Sequence, residues 1–481
     1  MNALSLKIKV LSSVMKQTLL YGSSIALMKG ISLLMLPFIT HHLPQAEFGK
    51  LEIISSIAIL GSILIGLGLE DTLYRFVGGS TSERERKLIA ARIFTLTLII
   101  GILVISMVWT LVSLLDDYVP KDLSTYQLRL VLLMLALEGC IAVPLGWLRM
   151  QNYAFSFFSV AVGRAFFQAG LTVVALQMER GIDGVLEAGF VATIIQALIL
   201  AILQIKDTGV SFCKRISKQS LIYSLPIMAS GLMAFPLNGL DRWVLAEISS
   251  LENVGQFGVA SKFALAVVLL LQPFGMWWTP KRFDVLYALN GRENAARITG
   301  YGLILVMLIA IAVTMLSPVA IYMLLPDSYR LAAQFTPLLI AATLFKEMAE
   351  LVNLGSYASD TSYAQLGINI ISAIVAITTL LWLGGEYGVF GILTSLVFTQ
   401  ALRLVLFFSV SQSLYYLPYP VSSLLFCSAI CLMWLYVSQY ELPTMARLVL
   451  VVIGPLSLLI LAQKLCLFPP LSLRYYLRET V

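Results

Sequence analysis

Four cations stand in stretches that are otherwise fit for lipid: Lys29 in IALMKGISLLMLPFIT, Arg164 in SVAVGRAFFQAGLTVVAL, Lys262 in VGQFGVASKFALAVV and Lys346 in AATLFKEMAE. A helix over 17–40 puts Lys29 about 15 Å from either end at about 1.5 Å rise per residue, beyond the snorkelling reach of a side chain about 6 Å long. Its ammonium therefore faces protein or a water-filled cavity. A charge at the bilayer centre costs at least about 2.5–3.5 kcal/mol on insertion scales, so it is retained for an ion pair or for a function, and both readings stand at Lys29.

Arg164, Gln168 and Thr172 recur every fourth residue. They share one helical face, and the polar stripe suggests a wetted wall. Lys262 is flanked by Ala260, Ala264 and Ala266, which give it no partner on its own helix. Thr343, Lys346, Glu350 and Asn353 line a face on which Lys346 can pair with Glu350 at i,i+4, so a structural and a ligand-binding role are equally open there. Glu138 and Glu187 are deep acids that either neutralise cations of neighbouring helices or take up protons for ion coupling. Asp241 and Arg242, in NGLDRWVLAE, read as the mark of a helix end. An excess of deep cations over deep acids makes a site of positive potential and predicts an anionic ligand. Phosphate and diphosphate suit the planar fork of Arg and the point charge of Lys.

The elements that must position these residues follow from composition. The 481 residues are 59% hydrophobic and 12% charged, with mean hydropathy +0.90, which identifies an all-α integral membrane protein. Crossing about 30 Å of hydrocarbon takes about 20 helical residues, and on that measure about fourteen spans are expected. Their limits are 17–40, 48–69, 88–115, 127–150, 153–177, 183–204, 219–246, 253–279, 299–325, 331–356, 363–383, 388–410, 420–438 and 444–467. The basic start MNALSLKIKVLSSVMK resembles a signal peptide, but the long run after it lacks a small-residue cleavage site and reads as a retained first span. Polar intervals are too short for a separate domain.

Charge orients the chain. Lys7, Lys9, Lys16, Arg75, Arg84, Arg86, Lys87, Arg149, Lys206, Lys214, Arg215, Lys218, Lys281, Arg282, Arg292, Arg297, Arg474 and Arg478 fall on the side of the termini, against only Lys121, Arg180, Arg330 and Arg447 opposite. By the positive-inside rule both termini are cytoplasmic. The net charge of +6 is then topological, with some attraction to anionic membrane lipids, and implies no nucleic acid. Cys140, Cys213, Cys427, Cys431 and Cys466 read as small packing residues.

The chain also echoes itself. KQTLLY at Lys16 to Tyr21 returns as KQSLIY at Lys218 to Tyr223, and EFGKLEIISS at Glu47 to Ser56 aligns with NVGQFGVASK at Asn253 to Lys262, at nearly equal offsets. Two six-helix lobes follow, 1–204 and 219–411, joined by a cytoplasmic linker over 205–218 and followed by an extra helix pair and tail over 412–481. An even number of spans per repeat gives both lobes one orientation, related by a pseudo-twofold axis along the membrane normal, with a cleft between them.

No G-x-x-x-x-G-K-[ST], H-E-x-x-H or G-x-S-x-G motif occurs, so neither a P-loop nucleotide site nor a cofactor is implied, and an enzyme is not expected. A membrane glycosyltransferase or polysaccharide polymerase would place its chemistry on a sizeable extracytoplasmic loop; here DDYVPKDLST is short.

GLGLEDTLYRFVGG, WLRMQNYAFSFFSV, LNGLDRWVLAEISSLENVGQFGVASKFA, WWTPKRFDVL and SYASDTSYAQLGINIISAIVAITTLLWLGGEYGVFGILTSLVFTQ together resemble the polysaccharide-transport family, the Wzx-type O-antigen flippases of the multidrug/oligosaccharidyl-lipid/polysaccharide exporter superfamily. The likeness spans about 15–410, and the D-R-W and V-G-x-x-x-x-A-S-K segments carry most of it. It implies two six-helix lobes forming a V that move an undecaprenyl-diphosphate-linked oligosaccharide between leaflets by alternating access. It also implies a cationic lumen, for which Lys29, Arg164 and Lys262 are the carriers, with Arg75 in cytoplasmic-side capture. A polysaccharide polymerase and a chain-length regulator are the partners the family suggests. A lipid II flippase shares the fold and the anionic substrate. A multidrug or cation antiporter would want acids deep in the first and seventh spans, where this chain has Lys29 and no carboxylate before Asp241.

Overall fold

Apolar runs of about 20 residues satisfy their backbone polar groups in lipid only as helices, and a few local breaks decide which spans are continuous. The computed structural model describes residues 3–80, 82–115, 123–358, 363–440 and 442–467, with side chains from residue 20 onward except 115 and 363. The described elements are all helical: α1 Ala3–His42, α2 Gln45–Gly66, α3 Leu69–Gly78, α4 Glu83–Leu115, α5 Thr125–Ala136, α6 Glu138–Met150, α7 Ala154–Gln177, α8 Gly181–Thr208, α9 Lys214–Ala234, α10 Leu240–Ile248, α11 Leu251–Leu286, α12 Gly291–Leu324, α13 Ala332–Val352, α14 Leu354–Ala358, α15 Tyr363–Leu414, α16 Val421–Val437 and α17 Thr444–Lys464. Eleven helical stretches among the described residues are long and apolar enough to cross a membrane. The side chains of Lys7, Lys9 and Lys16, and Lys121, Arg474 and Arg478 entirely, lie outside the described residues, as do the side chains of the first four residues of KQTLLY.

All the expected spans fall on helix, but several are broken inside. The segment 48–69 passes from α2 to α3 through Leu67 and Gly68, both left-handed at φ 52° and 65°. The segment 127–150 divides at Leu137 into α5 and α6, α5 being started by a capping box between Ser124 and Gln127. Two expected spans share α15, where Gly388 at φ 57° and ψ −136° turns the chain. Gly391 then lies against the Leu383 carbonyl where a Cβ would collide, and Thr379 meets Ser395 across the hairpin at 2.6 Å. Only glycine permits that turn without strain.

The chain forms two compact units, Met1–Gly255 and Gln256–Val481. In the first, α7 packs along α1 and α8. Leu69, Leu73, Ile93, Phe94, Val143 and Trp147 build a core shared by α3, α4 and α6. One face of α2 is zipped to the α9–α11 segment: Ile63 meets Gly231, Ser56 Oγ donates to the Gly239 carbonyl at 2.6 Å, and Gly49 meets Leu251 and Gly255. The last contact is reciprocal. A Cβ on Gly49 would strike the Leu251 carbonyl and one on Gly255 would strike the Gln45 carbonyl, and the second sequence echo aligns Gly49 with Gly255. The two echoed glycines thus lie against each other.

In the second unit α12 is the central helix, with α13, α16 and α17 packed on it, and α13 lies along α15. The terminal pair is closed by Arg447 of α17, 4% exposed, whose guanidinium donates to the carbonyls of Ser438, Tyr440 and Leu442 and so caps the end of α16.

Candidate functional site

In the first unit the break at Leu137 puts Glu138 at the start of α6, inside the span, where it is the carboxylate in electrostatic contact with Arg164 of α7. Arg164 Nη2 also donates to Thr193 Oγ1 of α8 at 3.2 Å, while its Nε is buried without a partner. Gln168 lies against Gly189, one turn along α8, and Thr172 is buried. The predicted polar stripe therefore faces α8, because Gly189 and Thr193 supply a small and a hydroxyl-bearing residue at matching spacing.

Lys29 stands half-buried near the middle of Leu20–His42, the apolar stretch of α1, and no hydrogen bond or ion pair to it occurs among the described residues. Its neighbour Met28 and Tyr21 pack on the core of Leu148, Phe157, Ala161 and Leu200. Glu187 lies near the start of α8, accepting from Arg180 at 3.0 Å and from the Tyr126 hydroxyl at 2.8 Å. Arg75 is exposed in α3. Its neighbour Phe76 lines a 620 Å³ open cavity with Gln219, Tyr223 and Pro226 of α9.

Sequence reading missed three clusters in this unit. Glu70 of α3 accepts from Arg149 Nη2 at 2.9 Å and from the Tyr74 hydroxyl at 2.5 Å, and Gly146 leaves room for the group. Asp207 accepts from Lys87 at 2.8 Å through one oxygen and from the Trp147 indole at 2.8 Å through the other, tying α4, α6 and α8 together. Arg242 of α10 donates from Nε to Glu52 at 3.0 Å and from Nη1 to Asp241 at 3.2 Å, with Glu52 only 3% and Asp241 7% exposed. Arg242 is thus more than a helix-end mark. The signal was Glu52 itself, a lone acid one turn inside an apolar run, which needs a buried cation.

In the second unit, Lys262 is half-buried in α11 and Lys346 half-buried in α13. Glu350, the partner expected for Lys346, is held by Arg403 of α15 at 2.9 Å. Arg282, from the last turns of α11, stacks on the Tyr357 ring at 4.3 Å. The structure thus brings Arg164, Gln168 and Glu138 together in one unit, and adds Arg282 and Arg403 to the neighbourhood of Glu350 in the other.

Residues 14–281 match a protein family described as polysaccharide biosynthesis protein. No curated protein matches the chain. Among solved structures it is similar to the lipid II flippase MurJ in an inward closed conformation, with TM-score 0.69 and 15% identity over 92% of this chain and 98% of that one. It is also similar to an inward-facing multidrug resistance MATE family transporter of the MOP superfamily, with TM-score 0.58 and 16% identity over 84% of this chain and 95% of that one. A third likeness is to a MOP superfamily transporter from Pyrococcus furiosus described as having a binding pocket of reverse polarity, with TM-score 0.51 and 16% identity over 84% and 96%. At these identities the likeness establishes the fold, a MurJ- and MATE-like transporter fold.

Proposed function

The chain belongs to the polysaccharide biosynthesis protein family, and from that premise we propose that it is a flippase carrying undecaprenyl-diphosphate-linked oligosaccharide repeat units across a bacterial inner membrane, from the cytoplasmic to the periplasmic leaflet, by alternating access. The O-antigen class of lipopolysaccharide is the substrate pathway this reading favours. The observation that carries it is Lys29, an ammonium halfway along a membrane helix with no carboxylate beside it among the described residues. Such a charge is offset only by water or by an anion from outside.

In this reading Lys29 and Arg164 of the first unit receive the diphosphate with help from Gln168 and Arg75, Lys262 and Lys346 are the second unit's own candidate phosphate ligands, and the polyprenyl tail stays in lipid. Neutralising the cations biases a two-state equilibrium, as any ligand with differential affinity must. Glu138 beside Arg164 is the candidate for ion coupling. Glu187 is a weaker one, since Arg180 and Tyr126 already occupy it. Both termini are cytoplasmic, and a polymerase and a chain-length regulator are the proposed partners.

The test is complementation of a surface-polysaccharide deletion strain with Lys29→Ala, Arg164→Ala and Lys262→Ala, membrane insertion being checked in parallel. Each substitution at a phosphate-contacting cation is expected to lower transport about tenfold or more. Wild-type polysaccharide from all three would overturn the proposal. A lipid II flippase is the second reading, favoured by the full-length likeness to MurJ; rescue of a peptidoglycan-precursor flippase strain instead of the polysaccharide strain would select it. An antiporter is disfavoured, since the first span carries Lys29 rather than an acid.

A further inference from the structure

At one end of the second unit, two guanidinium groups, those of Arg282 and Arg403, gather about the Glu350 carboxylate. Arg403 reaches Glu350 with a single nitrogen, Nη2, at 2.9 Å, and its Nε is buried without a partner. Arg282 lies over the Tyr357 ring at 4.3 Å and the Phe283 ring at 5.0 Å, close enough to Glu350 for Coulombic attraction. Its Nε too is buried and unpartnered, and it makes no hydrogen bond among the described residues.

Stacking fixes a guanidinium in place while leaving its edge donors unused, so Arg282 is an ordered, unspent fork. The platform beneath it is also fixed. Tyr357 rides on α14, set off from α13 at Asn353, and Ser411 of α15 bridges that break by accepting from Gly355 N at 2.9 Å and donating to the Val352 carbonyl at 2.8 Å. Asn353, 2% exposed, keeps its Oδ1 without a donor. Glu350, by contrast, is 44% exposed at its side chain, so water can take over its hydrogen bonds when it is displaced.

We propose that Arg282 and Arg403 form a phosphate-binding site in the second unit, with Glu350 as a resident counter-ion that an incoming phosphate or diphosphate displaces. The ligand class is a phosphate ester or diphosphate with at least two negative charges, since one carboxylate does not saturate two guanidinium groups. Taking that ligand to be the head of a lipid-linked sugar rests on the flippase reading. On the proposed topology the cluster lies at the cytoplasmic end, where such a head is first met.

The experiment uses the purified full-length chain in nanodiscs and measures binding of inorganic pyrophosphate and of undecaprenyl diphosphate, with nanodiscs of phosphatidylcholine alone or with added phosphatidylglycerol. Arg282→Ala and Arg403→Ala should each weaken binding of the tighter probe roughly tenfold, as expected for loss of a charge-assisted hydrogen bond. Arg282→Lys should fall between, and Glu350→Gln should tighten binding. Should Arg403→Ala fail to fold, Arg282→Ala decides alone, because among the described residues Arg282 holds no hydrogen bond whose loss would disturb the fold. Much tighter binding of undecaprenyl diphosphate than of pyrophosphate marks a lipid head group as the source, and equal binding marks a free phosphate; either supports the site. Arginine variants that bind as wild type, a Glu350→Gln that weakens binding as they do, or binding that phosphatidylglycerol alone abolishes would overturn it. Loss of polysaccharide complementation with binding intact would sink the flippase reading and leave the site standing. Intact complementation with Arg282-independent binding would do the reverse.

Discussion

Arg242 is held from two sides by carboxylates that water scarcely reaches, Glu52 at 3.0 Å and Asp241 at 3.2 Å. Removing one member of a buried ion cluster leaves the others uncompensated, which costs more than the cluster contributes. Arg242→Ala is therefore expected to destabilise the protein by about 3–5 kcal/mol, read as a lowered melting temperature in detergent. The triple replacement Glu52→Gln, Asp241→Asn, Arg242→Met should recover most of that loss, because no net charge is then left in the apolar contact. An unchanged melting temperature in Arg242→Ala would contradict a buried triad. At this scale the sequence showed which charges lie deep, since an apolar run around Lys29 or Arg164 is visible in one dimension. It did not show partners, because Glu52 and Arg242 or Glu350 and Arg403 meet only across helices. The i,i+4 spacing of Lys346 and Glu350 is the kind of partnership a sequence can display, whereas Arg403 reaches Glu350 from another helix.

Helices were the most legible elements, since about 20 consecutive apolar residues admit little else in lipid. Their interruptions were not. Leu137 and Asn353 sit at breaks with no proline or glycine at the position itself, and what holds the second break open is Ser411, a residue of another helix. The reciprocal contact of α2 with Leu251 and Gly255 is an intermediate case. The echo that aligns Gly49 with Gly255 was readable; that the two glycines touch was not. Because each Cβ would meet a backbone carbonyl, which cannot rotate away, Gly49→Ala and Gly255→Ala should each cost about 1–3 kcal/mol by overpacking and reduce the yield of folded protein in membranes. Gly275→Ala, facing open space, is the control and should be neutral. Equal yields of all three would mean that α2 and α11 need no close approach.

For the whole molecule the chain carries its own reporter of orientation. Cys213 ends the short segment between α8 and α9, half-buried, while Cys140, Cys427 and Cys431 are buried and Cys466 is exposed. The backbone N–H of Ile216 in the first turn of α9 holds the Cys213 thiol below its usual range, partly opposed by burial and aided by the Arg215 N–H and the charges of Arg92 and Arg215. A thiol with a lowered pKa stays deprotonated to lower pH, and the thiolate is the species that reacts. In a Cys466→Ser background, a membrane-impermeant maleimide should therefore label Cys213 in inverted vesicles and not in right-side-out spheroplasts. Its rate should fall off at a lower pH than that of an unperturbed thiol, about 8.5. If Cys213 labelled only from the outside, the positive-inside orientation would be reversed, and with it the direction of transport and the side on which Arg282 and Arg403 would first meet a phosphate.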